Sequence, residues 1–230
     1  MGDMIEFPSN GATAIGYLAL PDSGSGPGVV VIQEWWGLVD HIKEVCDRFA
    51  AAGFVALAPD LYHGKTTTEP DEAGKEMMAM GMAQAAKDMS GAVDELIRVS
   101  GRSKVGVIGF CMGGGLAMVL ATQRPDAVAA VVPCYGIIPW PDAQPDYSAM
   151  SAALQGHYAE KDGFFTPEAA LALGENLRDL GKQAEIFIYP GADHAFFNDT
   201  RPEVYDAEAA TLLWDRSLEF LRDFVSGHTK

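Results

Sequence analysis

The sequence is short of basic residues. Sixteen Lys and Arg stand against 32 Asp and Glu, which gives a net charge of −16 and a pI near 4.5. So acidic a chain is repelled by phosphate backbones and anionic lipid surfaces, which argues against nucleic acid or membrane as partners. Cysteine is scarce too. Cys46, Cys111 and Cys134 show no disulfide framework and no metal-ligand spacing, so a reducing, cytoplasmic setting is expected. No apolar run approaches the roughly 20 residues of a membrane span. The opening residues, MGDMIEFPSN, have no basic segment leading into a long apolar one, so no secretory signal is expected. No repeat, low-complexity tract or linker interrupts the 230 residues, a length that suits one α/β domain over 1–230.

What is present is an alternation of short apolar runs with helical patterns. Met4 to Phe7 and Thr13 to Leu20 read as strands joined through Ser9-Asn10-Gly11, paired antiparallel at a sheet edge. Gly28 to Gln33, Phe54 to Ala58, Val105 to Ile108, Ala127 to Val132, Ala152 to Tyr158 and Ala184 to Tyr189 read as further strands. Helical patterns lie between them. Asp40 is the expected N-cap of one that runs to about Ala52. A second pattern spans about Asp71 to Val99 with a break at Gly81. A third starts at Thr166-Pro167, and the last runs from about Pro202 to Val225. Leu61 to Pro70 is a loop and a candidate lid, and Ile137 to Tyr147 an irregular surface loop. The alternation predicts a mostly parallel central sheet with helices on both faces.

One turn carries chemistry. Gly109-Phe110-Cys111-Met112-Gly113 is G-x-C-x-G, the cysteine form of the nucleophile elbow, with a strand before it and a helix after it. Such a turn is too sharp for Cβ atoms two positions either side of the nucleophile. It also sets the sulfur at a helix N-terminus, where free N–H groups favour a thiolate and an oxyanion. By itself the motif is equally compatible with a small buried apolar cysteine. Placement adds weight. Glu34, Cys111, Asp162 and His194 each follow an expected strand, where sites of open α/β sheets lie.

Cys111 would be the nucleophile, His194 its base and later acid, and Asp162 the group that fixes the imidazole tautomer. Nucleophile, acid, histidine is also the chain order of α/β-hydrolases. Backbone N–H groups of Trp35 and Met112 would form an oxyanion hole, worth roughly 3–4 kcal/mol per donor. Glu34 fits less simply, because a carboxylate beside a thiolate opposes its ionisation. It would bind a polar substrate group, help deprotonate the thiol, or be a strand-end surface charge. His41 and His228 read as surface residues, and His63 and His157 receive no role. A reading from another class makes Cys111 a peroxide-sensing thiol, although no motif marks Cys46 or Cys134 as a resolving partner.

The segments GFCMGGG, GHYAEKDGFF and YPGADHAFF together resemble the dienelactone hydrolase family of α/β-hydrolases. QEWWG matches its strand-end Gln-Glu followed by an apolar residue and Gly, and the similarity runs in order from about Ile32 to Phe197. The resemblance implies an α/β-hydrolase fold and a monomer. It also implies hydrolysis of a small-molecule ester or lactone through an acyl-cysteine, with no metal or cofactor. It assigns Cys111, Asp162 and His194 to the triad, Glu34 to generating the thiolate when substrate binds, and the Trp35 and Met112 amides to the oxyanion hole. Two departures concern the arginines that hold a substrate carboxylate. Asn198 stands four residues after His194 where the family has one, and 71–87 contains no Arg for the other. Lys75 and Arg201 are the candidate replacements. The paired Trp35 and Trp36 add bulk. A less polar ester, another lactone or a thioester therefore stand beside dienelactone as expected substrates.

Overall fold

In the computed structural model, which describes residues 1–139 and 144–225, the apolar runs become eight strands of one sheet. They are β1 Asp3–Ser9, β2 Ala12–Ala19, β3 Gly28–Ile32, β4 Val55–Pro59, β5 Val105–Phe110, β6 Val128–Cys134, β7 Ala153–Ala159 and β8 Ala184–Tyr189. Their order is β1-β2-β4-β3-β5-β6-β7-β8. The β1–β2 hairpin forms one edge, and β2 is antiparallel to both β1 and β4. All other pairs are parallel.

The helices are α1 Asp40–Ala51, α2 Pro70–Ala79, α3 Met82–Ser100, α4 Met112–Gln123, α5 Pro167–Asp179 and α6 Ala207–Val225. The strand period of two divides the core into two layers. Val29 and Val31 of β3 pack with α1 and α6, alongside Ile42, Phe49, Leu213 and Leu221. Val30 and Ile32 face the other way, toward α3, α4 and α5, with Met89, Leu116 and Leu177. Both faces of the parallel strands are covered, so β3 and β4 read as continuous apolar runs. Among the described residues, no helix is long and apolar enough to cross a membrane.

Several expectations are corrected. The helix 71–99 does break at Gly81, into α2 and α3. Asp40 is not the N-cap of α1: Val39 holds that position, and the Asp40 carboxylate sits in the first turn, where it accepts from Lys43. It acts there on the helix dipole instead of on a free N–H. His41 is buried, not on the surface, because the segment after β8 covers the start of α1 and Asp199 pairs with its ring. The last helix starts at Ala207 instead of near Pro202, since the Asp206 carboxylate accepts from Glu208 N and Ala209 N and supplies the cap. In the loop from Ile137, Ile138 and Tyr147 are buried, the latter in a short 3₁₀ turn. His228 and residues 140–143 of that loop lie outside the described residues.

Candidate active site

Cys111 leaves β5 and opens α4 with φ 53° and ψ −118°, a conformation costly for any residue but glycine. Close packing holds it there. A Cβ on Gly109 would strike the Gly113 carbonyl, and one on Gly113 would strike the Ile32 carbonyl. A third glycine, outside the elbow motif, is as constrained: a Cβ on Gly136, just past β6, would strike the Cys111 carbonyl oxygen. The Cys111 N–H donates to the Cys134 carbonyl at 3.0 Å, which ties the elbow to the neighbouring strand. Met112 is the first residue of α4, so its N–H has no acceptor within the helix. The Trp35 N–H makes no backbone hydrogen bond among the described residues.

The strand-end groups converge. Cys111 Sγ lies 3.3 Å from His194 Nε2, and His194 Nδ1 lies 2.7 Å from Asp162 Oδ2. The other Asp162 oxygen accepts from Phe164 N at 2.8 Å and Phe165 N at 3.0 Å. A buried carboxylate so occupied has one orientation, which puts the proton of the pair on Nδ1 and leaves Nε2 facing the sulfur. Burial pulls the His194 pKa down, but hydrogen bonds to Asp162 and Cys111, with their charges, push it up to about 10.

Glu34 follows β3 by two residues and is fully buried. Its Oε2 accepts from Asn198 Nδ2 at 2.9 Å, while Oε1 has no partner. Burial raises its pKa, against smaller opposing effects of Asn198, His194, Arg201 and the Tyr135 hydroxyl. Tyr135 ends the β6 segment with φ 37°. It is fully buried, stands edge-on to the His194 ring at 5.3 Å, and also has a hydroxyl without a partner. Of the candidate cations, Arg201 stands 5.8 Å from the centre of the Trp36 ring and its charge reaches Glu34, whereas Lys75 is exposed on α2. The mouth is aromatic. Phe164 is 76% exposed yet lies 5.3 Å from the His194 ring, and Trp35 packs edge-on to Trp36. Tyr62 of the loop after β4 donates to Met112 Sδ at 3.5 Å, and Thr67 N donates to the Trp36 carbonyl, so this loop is tied down beside the elbow.

The remaining histidines and cysteines lie elsewhere. His63 pairs with Asp88 of α3 at 3.6 Å. His157 is buried among Tyr189, Gln155 and Ser217. Cys46 and Cys134 are fully buried, and burial pushes both thiols up, the opposite of what a resolving thiol needs.

The sequence model of the dienelactone hydrolase family matches residues 15–225. The chain belongs to the dienelactone hydrolase family. It is 40% identical to "Protein usf" of Aquifex pyrophilus, over 98% of this chain and all of that one. A protein of Aquifex aeolicus, provisionally named a carboxymethylenebutenolidase, is 35% identical with the same coverage. A solved structure from Klebsiella pneumoniae, provisionally described as a dienelactone hydrolase, superposes with a TM-score of 0.88 at 29% identity, covering 97% of this chain and 99% of that one. The fold is that of the α/β-hydrolases, and the family makes this protein a carboxylic ester hydrolase that acts on an ester or lactone.

Against that family background, all six expected groups gather at the carboxyl ends of β3, β5, β7 and β8. Sequence reasoning missed Tyr135 and Gly136, although Pro133-Cys134-Tyr135-Gly136 sits at the end of β6 as the other groups sit at their strand ends. It also missed that Asn198, which takes the place of a family arginine, is the partner of Glu34.

Proposed function

We propose that this dienelactone hydrolase family member cleaves its substrate with Cys111 as nucleophile. His194 Nε2 holds the proton of the Cys111–His194 pair as the sulfur attacks the scissile carbonyl. The carbonyl oxygen becomes an oxyanion that accepts from Trp35 N and Met112 N. As the carbonyl–oxygen bond breaks, His194 returns the proton to the leaving alkoxide, which departs as an alcohol or remains tethered if the substrate is a lactone. Water then attacks the acyl-cysteine, His194 takes its proton, and the acid and the free thiol are regenerated. Asp162 holds the imidazole in place throughout. The observation that carries this reading is the unbroken line Sγ to Nε2 at 3.3 Å and Nδ1 to Oδ2 at 2.7 Å, anchored on an elbow with strained φ.

The aromatic rim of Trp35, Trp36 and Phe164 supports a substrate with an apolar body, and Arg201, 5.8 Å from the centre of the Trp36 ring, is the candidate cation to meet a carboxylate. Hydrolysis rates for a dienelactone and a short-chain aryl ester, with the unchanged protein and Cys111→Ala side by side, test the reading. Turnover of either substrate that disappears in the mutant is expected. Equal rates in both proteins would remove Cys111 from the mechanism. Aryl-ester turnover without dienelactone turnover would place the substrate among neutral esters.

A further inference from the structure

The bond between Asn198 and Glu34 has a defined direction. Asn198 Oδ1 is already occupied, accepting from Thr200 N at 3.1 Å and from Thr200 Oγ1 at 2.6 Å. The end of the amide facing Glu34 is therefore Nδ2, a donor, and Glu34 Oε2 is the acceptor. Among the described residues, the side chain that donates to this carboxyl group, which is 1% exposed, within hydrogen-bond distance is a neutral amide, and no Lys or Arg forms an ion pair with it. The charged groups around it are His194 and Arg201, from the segment after β8. Tyr135, from the end of β6, presents an uncharged hydroxyl, and the buried Cys134 thiol also feels Glu34. Arg201 is turned to Glu203, with 2.9 Å between Nη2 and the carboxylate. Glu34 Oε1 and Tyr135 Oη are both buried without a partner. An ionised carboxylate in such a place would face uncharged donors only, the Asn198 amide and the Tyr135 hydroxyl, whereas a protonated one can offer its hydrogen to the Tyr135 oxygen.

We propose that Glu34 is held as a neutral carboxylic acid, with its proton on Oε1 toward the Tyr135 hydroxyl, and that it acts as an uncharged hydrogen-bonding group near His194 and not as the base for the thiol. This rests on the reading of Cys111 as nucleophile. It also removes the conflict noted in the sequence, since a neutral acid does not oppose a thiolate. His194, in hydrogen-bond range of the sulfur, is then the only base, and activation requires no anionic group on the substrate. Neutral esters and lactones are then turned over as well as acidic ones.

Two measurements on the whole protein need no substrate. Infrared difference spectra at pH 7 between the unchanged protein and Glu34→Gln should contain the carbonyl stretch of a protonated carboxyl group, lost in the variant. The pH profile for alkylation of Cys111 by iodoacetamide should keep its midpoint in Glu34→Gln, because the amide reproduces a neutral acid. In ester hydrolysis, the loss in Glu34→Gln should be at least about tenfold smaller than in Glu34→Ala, which leaves the Asn198 amide and the Tyr135 hydroxyl unpaired in the interior. A carboxylate band in place of the acid band, or a shifted alkylation midpoint in Glu34→Gln, would overturn the proposal. Failure of Cys111→Ala to abolish turnover would instead overturn the nucleophile assignment and leave the infrared result standing.

Discussion

Gly136→Ala tests how the elbow is held. The added Cβ would fall well inside contact distance of the Cys111 carbonyl oxygen, 2.9 Å from its carbonyl carbon and 3.0 Å from Gly114 Cα. All three are backbone atoms, so no flexible side chain can give way. Because the interior is close-packed, relief requires the Cys111 peptide to move by about 1 Å. The same peptide sets the direction of Sγ, which sits in hydrogen-bond contact with His194 Nε2 at 3.3 Å. A shift of ~1 Å at a reacting atom costs about 10²-fold in rate. Overpacking costs about 1–3 kcal/mol of stability, a fall of about 2–4 °C in Tm for each kcal/mol in a chain of this size. The assay is kcat for an aryl ester beside a thermal melt, with Gly26→Ala as comparison. Gly26 makes the same kind of clash, with the Gly53 carbonyl, but lies ahead of β3 at the end of the sheet away from Cys111. Gly26→Ala should lower Tm and leave kcat alone, while Gly136→Ala should lower both. Full kcat in Gly136→Ala would refute the claim that this glycine positions the nucleophile.

Three further outcomes are expected, from two variants. In Asp162→Asn, the oxygen stays with Phe164 N and Phe165 N, the amide NH₂ faces Nδ1, and the imidazole is forced into the wrong tautomer, for a loss of about 10⁴-fold in kcat. The same variant should change the pH dependence of stability: His194 has a folded pKa of about 10 against 6.5 unfolded, so its protonation stabilises fully below pH 6.5 and that stability is lost as pH rises through 10. A melting curve series from pH 6.5 to 10 should be flatter in Asp162→Asn, and an unchanged slope would show that Asp162 does not hold the imidazolium. Ser9→Ala should lower stability by about 1–3 kcal/mol, because it removes a hydrogen bond to a carboxylate buried at the end of the β1–β2 hairpin. A urea midpoint equal to that of the unchanged protein would contradict this.

The strands and the triad residues could be read from the sequence because their signals are local. A short apolar run, followed within five residues by Glu34, Cys111, Asp162 or His194, states both the element and the end of it at which the group lies. The partners that tune those groups are not local. Glu34 and Asn198 are 164 residues apart, and the direction of their bond depends on what Thr200 does with the other end of the amide. Gly136 carries no motif, since its constraint is a carbonyl on a neighbouring strand end. His41 looked like a surface residue because its own helix places it near an exposed end, and its burial comes from the segment beyond β8. The start of α6 was misplaced because Pro202 and Asp206 both offer a beginning, and the carboxylate of Asp206 takes the free N–H groups.

The three members of the triad are unequally anchored. Cys111 opens a helix that is buried from Gly113 through Met118 and at Leu120 and Ala121, in the middle of the sheet. Asp162 and His194 ride on surface turns after the two strands at one edge, with Lys161, Gly163, Phe164, Gly191 and Asp193 exposed around them. Segments with few buried contacts open at lower free energy than the core does. Although Asp162, Ala195, Phe196 and Phe197 are themselves buried, these turns are the expected first part of the site to open on warming, so activity should be lost while the sheet is still intact and should return on cooling by the closing of two turns, without refolding.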